Sequence, residues 1–182
     1  MKSCKLIALV VLASSLIAVG ANAASALQLQ SDSQAALERL YSDNPKARDL
    51  GQKAYAILIF PTVVKFGVVM VGGQRGDGVL WENGQVAGYY NTTSASYGPQ
   101  IGGQSFSYAL FFMTKKDLKG LNKSGGFDLG GAPSLVVANK GVSGSASLYS
   151  LEGIKAFIFG QQGLMAGLGL QGTKISQYTP SN

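Results

Sequence analysis

The chain has 182 residues, with 15 basic and 9 acidic side chains, 46% hydrophobic residues, 25 glycines, no histidine and a single cysteine, Cys4. Cys4 lies ahead of an apolar run expected to be removed on export, so the mature chain has neither thiol nor imidazole. That excludes Ser-His-Asp and Cys-His catalysis and a zinc site built on those ligands. The expectation is a protein without metal, cofactor or enzymatic activity.

Lys2 and Lys5 precede a fourteen-residue apolar run, Leu6 to Val19, and Ala21-Asn22-Ala23 supplies an A-x-A cleavage site. A second cut after Ala26 is available. The run is shorter than the roughly 18–20 apolar residues that span a bilayer. Residues 1–23 are therefore expected to be a signal peptide, and the product periplasmic or secreted. Loss of Lys2 and Lys5 leaves 13 basic against 9 acidic side chains, a net charge of +4. This mildly basic balance suits an anionic lipid surface and falls short of a nucleic-acid footprint.

In chain order, residues 24–30 read as a loose leader. Ser31 to Tyr41 reads as a helix with Leu37, Leu40 and Tyr41 on one face. Asn44-Pro45 is an N-cap followed by proline at the first helical position, opening a second helix that carries Ala47, Leu50 and Ala54. From Tyr55 the period changes to two. Apolar runs meet at Pro61, with Val64, Phe66, Val68 and Met70 on one strand face and Val63, Lys65, Gly67, Val69 and Val71 on the other. Gly72-Gly73 and Gly76-Asp77-Gly78 are read as places where the backbone reverses. Asn83-Gly84 is a two-residue hairpin signal. Phe106 to Met113 is apolar on both faces, as in a strand buried on both sides. Thr114 with Asp117 forms a capping-box pattern for a short helix to Lys123, closed by Ser124-Gly125-Gly126. Strands are expected at Leu135–Asn139, Ser145–Tyr149 and Lys155–Phe159, and one closing strand over Leu164–Gly172. The fold class is α+β: short N-terminal helices packed on a mostly antiparallel β-barrel or sandwich.

Charged residues give few sites. The nine carboxylates, at 32, 38, 43, 49, 77, 82, 117, 128 and 152, fall mostly on helix surfaces and turns. The GGQRGDG segment is similar to a phosphate-binding glycine loop, but no Lys-Ser/Thr follows and a strand comes next. Lys115, Lys119 and Lys123 recur every four residues beside Lys116, opposite Leu118 and Leu121, forming a stripe that can lie on phospholipid phosphates. Lys65 and Arg75 are secondary lipid-binding candidates. Phe106, Tyr108, Phe111, Phe112, Phe157 and Phe159 suit a core better than an acyl-chain groove. Tyr89, Tyr90 and Tyr97, set among Asn91, Thr92, Thr93 and Ser94, read as a surface rim.

Four segments in order carry a family likeness: IFPTVVKFG from Ile59, GGQRGDGVL from Gly72, SYGPQIGGQ from Ser96 and GLMAGLGLQG from Gly163. Together they resemble the SYLF domain, over roughly Asn44 to Lys174. The domain reading is a signal peptide (1–23), leader and helix (24–43), a SYLF-like domain (44–175) and a tail (176–182). The resemblance implies phospholipid binding without catalysis. Gln161 and Gln162 stand where relatives often carry a basic residue, and Gln171 is uncharged where an acidic residue is often found. The expected function is an exported, non-enzymatic domain engaging anionic phospholipid of the cell envelope. The alternative is a structural or protein-interaction module with an envelope protein partner. An outer-membrane barrel is disfavoured because Tyr55 to Phe60 and Phe106 to Met113 are apolar on both faces, whereas such barrels have a polar lumen.

Overall fold

The computed structural model describes residues 26–121, 127–128, 150–151, 153–167 and 170–180. The expected signal peptide, Lys123, the Ser124-Gly125-Gly126 stop and the strands expected at Leu135–Asn139 and Ser145–Tyr149 lie outside these residues.

Helix α1 (Ala26–Asp43) buries Leu29, Ser33, Ala36 and Leu40, one stripe at four- and three-residue spacing. It starts earlier than the sequence pattern suggested, taking in most of the expected leader. Leu29 extends the buried stripe by one turn, and Gln30 Nε2 donates to Tyr89 Oη at 2.6 Å. Helix α2 (Pro45–Lys53) starts as expected: Pro45 occupies its first turn, and the Asn44 side chain accepts from the Ala47 amide at 3.0 Å.

The remainder is one antiparallel sheet. Six long strands, β1 (Ala56–Val68), β2 (Val71–Glu82), β3 (Gln85–Tyr97), β4 (Gln100–Phe112), β7 (Ile154–Gly167) and β8 (Leu170–Tyr178), are joined by β5 (Phe127–Asp128) and β6 (Ser150–Leu151). The order is β5-β8-β3-β2-β1-β4-β7-β6. Helix α3 (Lys115–Leu121) follows β4, and its capping box is formed: the Thr114 amide donates to Asp117 Oδ2 at 2.9 Å, and the Asp117 amide to Thr114 Oγ1 at 3.3 Å.

The strand order forces the sheet to roll. β3 and β4 are separated by β2 and β1, about 14 Å across a flat sheet at ~4.8 Å per strand. Yet only Gly98 and Pro99 link them, and three consecutive Cα steps reach about 11 Å at most. The ends of Tyr97 and Gln100 can meet only if the sheet is rolled there. The roll does not close into a barrel: among the described residues β7 and β8 share no ladder, each pairing instead with a short edge strand, so the α+β class holds with one open, rolled sheet in place of a closed barrel.

Two cores result, one on each face. The concave side holds Leu58, Phe60, Val63, Leu80, Tyr90, Phe106, Leu110, Phe112 and Ile175, closed at one end by Leu118 and Leu121 of α3. On the convex side Ile59, Ala109, Phe111, Phe157 and Phe159 pack under Ala36, Leu40 and Ala47 of the helices. β4 is thus buried on both faces from Ala109 to Phe112, as its two-sided apolar sequence implied. Phe111 stands edge-on to Phe157, with ring centroids 5.2 Å apart. The aromatic residues expected in the core are there, with Tyr108 partly buried and stacked on Phe60.

Three turn and strand expectations change. Gly72-Gly73 and Gly76-Asp77-Gly78 are not turns but part of β2. Their lack of a side chain serves packing: a Cβ on Gly78 would run into the Ile59 carbonyl and the Phe60 ring, and one on Gly76 would lie 2.7 Å from Val63 Cγ2. The Leu164–Gly172 segment is not one strand; β7 ends at Gly167 and β8 begins at Leu170. Pro61 does not separate two strands but sits in a bulge of β1, where it has no amide to contribute to a ladder and its carbonyl accepts from Ser107 Oγ at 2.7 Å. Asn83-Gly84 is the two-residue hairpin tip expected, with φ of 51° and 76° as a type I′ turn requires.

Gly78→Ala is expected to cost about 2 kcal/mol, the range for forcing extra volume into a packed site. Gly84→Ala, with nothing within 4 Å of a new Cβ, should cost only the strain of its positive φ. Urea unfolding followed by fluorescence of Trp81, the only tryptophan, measures both.

Candidate functional site

The β1–β2 hairpin turns at Val69-Met70, earlier than the glycines suggested. Val69 has φ of 58°, a left-handed value that a β-branched residue adopts only under strain. A positive φ at the first of two loop residues is the pattern of a type II′ turn, where glycine is the usual occupant. The β3–β4 turn docks against this one: the Gly98 amide donates to the Met70 carbonyl at 2.9 Å, and the Gln100 amide to the Val69 carbonyl at 2.7 Å. Two turns are thereby fused into one apex.

The apex is apolar and uncovered. On the convex face, where the helices shield Ile59 further down, nothing described covers Val64 (52% exposed), Phe66 (55%) or Val68 (63%). Val69, Met70, Val71, Tyr97 and Ile101 continue this surface around the tip, all exposed. Exposed apolar residues this dense are unusual on a soluble surface and mark an interaction site.

The concave face has the opposite polarity over the same stretch. Lys65 pairs with Gln74 on one side and Gln104 on the other, and Gln74 pairs with Ser94. These four side chains form a row across β3, β2, β1 and β4. One level nearer the apex the row is Ser96, Gly72, Gly67 and Gly102. Gln100 folds over Gly72, where its Oε1 accepts from Ser96 Oγ at 2.9 Å. Burial holds the Lys65 ammonium pKa below its ordinary 10.5, and no carboxylate offsets that effect.

The structure separates the residues singled out in the sequence. Lys115, Lys116 and Lys119 are exposed on α3 while Leu118 and Leu121 are buried, the orientation expected. But α3 follows the far end of β4, about 40 Å from Gln100 at 3.3–3.4 Å per residue, so this stripe is not part of the apex. Lys65 and Arg75 lie on the adjacent paired strands β1 and β2 near the apex, on opposite faces: Lys65 turns inward and Arg75, opposite Val64, outward. Tyr97 is on the exposed rim, as expected, whereas Tyr90 is buried in the concave core. Sequence reasoning placed Val64, Phe66 and Val68 on one strand face but did not single that face out as exposed. The uncovered face depends on where the helices stop, which periodicity does not record. Among the described residues there is no group of three potential metal ligands and no helix long and apolar enough to cross a membrane.

A family model described as Ysc84, Las17-binding protein actin regulator, matches residues 93–182. The match takes in the β3–β4 half of the apex, with Tyr97, Gln100, Ile101 and Gln104. No curated protein matches the chain.

Val69→Gly is expected to stabilise the fold by about 1 kcal/mol, the cost of a left-handed backbone at a non-glycine residue, measurable by urea unfolding. Lys65 sets a pH trend. Its pKa is lower in the folded chain, so the unfolded chain holds the proton longer and stability rises with pH between that lowered value and 10.5. Lys65→Met should remove this part of the slope and stabilise the fold at neutral pH, as thermal melts across pH 7–10.5 would record.

Proposed function

Because this chain belongs to the SYLF (Ysc84) family, we propose that it is an exported, non-enzymatic domain that binds envelope phospholipid by inserting its apex. The observation that carries this reading is the cluster of eight exposed apolar side chains from Val64 to Val71 with Tyr97 and Ile101. The strained turn supports it. Val69 costs folding energy where glycine would be favoured, and its side chain is 65% exposed, so it adds nothing to either core. Strain retained without a packing return is a mark of functional sites.

Magnitudes decide between greasy and charged contact. Full burial of a Val, Met or Phe side chain gains about 1.5–3 kcal/mol, so each roughly half-exposed apex residue offers about 1 kcal/mol, or about 8 kcal/mol gross for the set. A lysine or arginine near an anionic surface adds about 1 kcal/mol. Lys65 and Arg75 tune the binding; the apolar contact supplies it. The convex shape also suits lipid, which flows around a tip, better than it suits a preformed protein surface.

The family description names actin regulation, and the same apex could seat a protein in the envelope. Liposome flotation separates the two readings. The parent should float with anionic vesicles and keep most of its binding in 1 M salt, where the Debye length is about 3 Å. Phe66→Ser with Ile101→Ser should weaken binding by at least about tenfold, the loss of roughly 2 kcal/mol. Replacing Lys115, Lys116 and Lys119 by glutamine should change it little. A folded parent that floats with no vesicle would move the protein-interaction reading to first place. Export requires a mature N-terminus at Ala24 or Leu27, which N-terminal sequencing of the envelope fraction would read; an intact Met1 there would refute it.

A further inference from the structure

The apex accounts for the convex face and leaves the polar half of the concave face unexplained. Among the described residues Lys65 is the one charged side chain in this polar half, Glu82 lying at the opposite end of the face across from Ala56, and Lys65 forms no ion pair. It is flanked by the carboxamides of Gln74 and Gln104, all three partly buried and within reach of solvent. Of five buried side-chain polar atoms lacking a hydrogen-bond partner, three lie on this surface: Thr92 Oγ1, Ser94 Oγ and Gln100 Nε2. Thr92 is 1% exposed and Gln100 5%. A buried donor left without a partner costs about 1–3 kcal/mol, so three such atoms on one concave surface around an unpaired cation are an expensive arrangement.

The chemistry of the set is that of a donor cradle. Hydroxyls of Thr92 and Ser94, the amide nitrogen of Gln100, the carboxamides of Gln74 and Gln104 and the ammonium of Lys65 can all donate, and no carboxylate stands among them to repel an anion. The glycine level beside the row, Gly67, Gly72 and Gly102, carries no side chains, which leaves the room over Gly72 that Gln100 and Ser96 occupy. Below it, Val63 and Phe106 begin the apolar core, which would exclude water from the far side of a bound group.

We propose that the row Ser94, Gln74, Lys65 and Gln104, with Thr92 and Gln100, is a binding site for a phosphate-type oxyanion. Two sources share that chemistry: the phosphate of a lipid whose chains lie on the apex, and free phosphate. Only the lipid source rests on the membrane reading above.

The test uses the purified chain and its Lys65→Met and Lys65→Gln variants, each shown to be folded by circular dichroism and Trp81 fluorescence. Inorganic phosphate and glycerol 3-phosphate are titrated while the backbone amide resonances of residues 65, 74, 94 and 104 are followed by NMR. In parallel, binding to phosphatidic acid vesicles is compared with binding to phosphatidylcholine vesicles. Saturable shifts with soluble phosphate that weaken tenfold or more in both variants support the site with free phosphate as a sufficient ligand. No shift with soluble phosphate, but a preference for phosphatidic acid that both variants lose, supports it with lipid as the source. Phe66→Ser with Ile101→Ser should weaken vesicle binding at least about tenfold yet leave the soluble titration unchanged, so failure of the membrane reading is distinguishable from failure of this one. The proposal is overturned if neither soluble phosphate nor phosphatidic acid is preferred by the parent, or if both variants bind as the parent does.

Discussion

The strand β4 is the constraint on which the rest of the molecule depends. It pairs with β1 on one side and β7 on the other, and from Ala109 to Phe112 it is buried on both faces. Ala109 and Phe111 hold the helices to the convex side, while Leu110 and Phe112 hold α3 and the concave core. Its two neighbours, β1 at Leu58–Phe60 and β7 at Ala156–Phe159, alternate between the same two cores on either side of it. Where this two-sided burial ends, above Phe106, the sheet continues without helices on one face and without apolar filling on the other. The apex and the polar row are both consequences of that end.

The two surfaces also explain each other. On the proposed membrane reading, a sheet that inserts its outer face into lipid has no use for apolar side chains on its inner face beyond the core; the inner face here carries lysine, glutamine, serine and threonine. The apolar and polar residues alternate along one strand: Val64, Phe66 and Val68 outward, Val63, Lys65 and Gly67 inward. A shift of one residue in the register of β1 would exchange the two surfaces completely. The bulge at Pro61 fixes that register, and the Ser107 hydroxyl holds the bulge.

Much of the architecture was legible in the sequence, for reasons specific to each element. Asn44-Pro45, Asn83-Gly84 and Thr114 with Asp117 are local chemical signals, complete within a few residues, and each formed as read. The glycines of β2 misled because glycine has two uses. It permits a turn, and it also yields space to a ring such as Phe60, and only the tertiary fold shows which applies. The real turn carries valine at its strained position, so no turn signal marked it. The site was half visible: Lys65, Arg75 and the apolar alternation stood in the sequence, but the split of Lys65 from Arg75 by face, and the union of two turns into one tip, depend on residues far apart in the chain.

The spatial order β3-β2-β1-β4 has a kinetic consequence. The meander from β1 to β3 can form from neighbouring segments, but β4 must return past two strands to pair with β1, and β8 must wait for the chain to come back to β3. Such non-local pairings are slow because loop closure precedes any stabilising contact. Until β4 arrives, β1 presents an open edge beside Ile59, Val63, Phe66 and Val68, a run prone to pairing with another chain. If the chain is exported unfolded, as proposed, it meets this interval after translocation, and its folding yield is then limited by how quickly β4 docks against β1 and not by the final stability of the sheet.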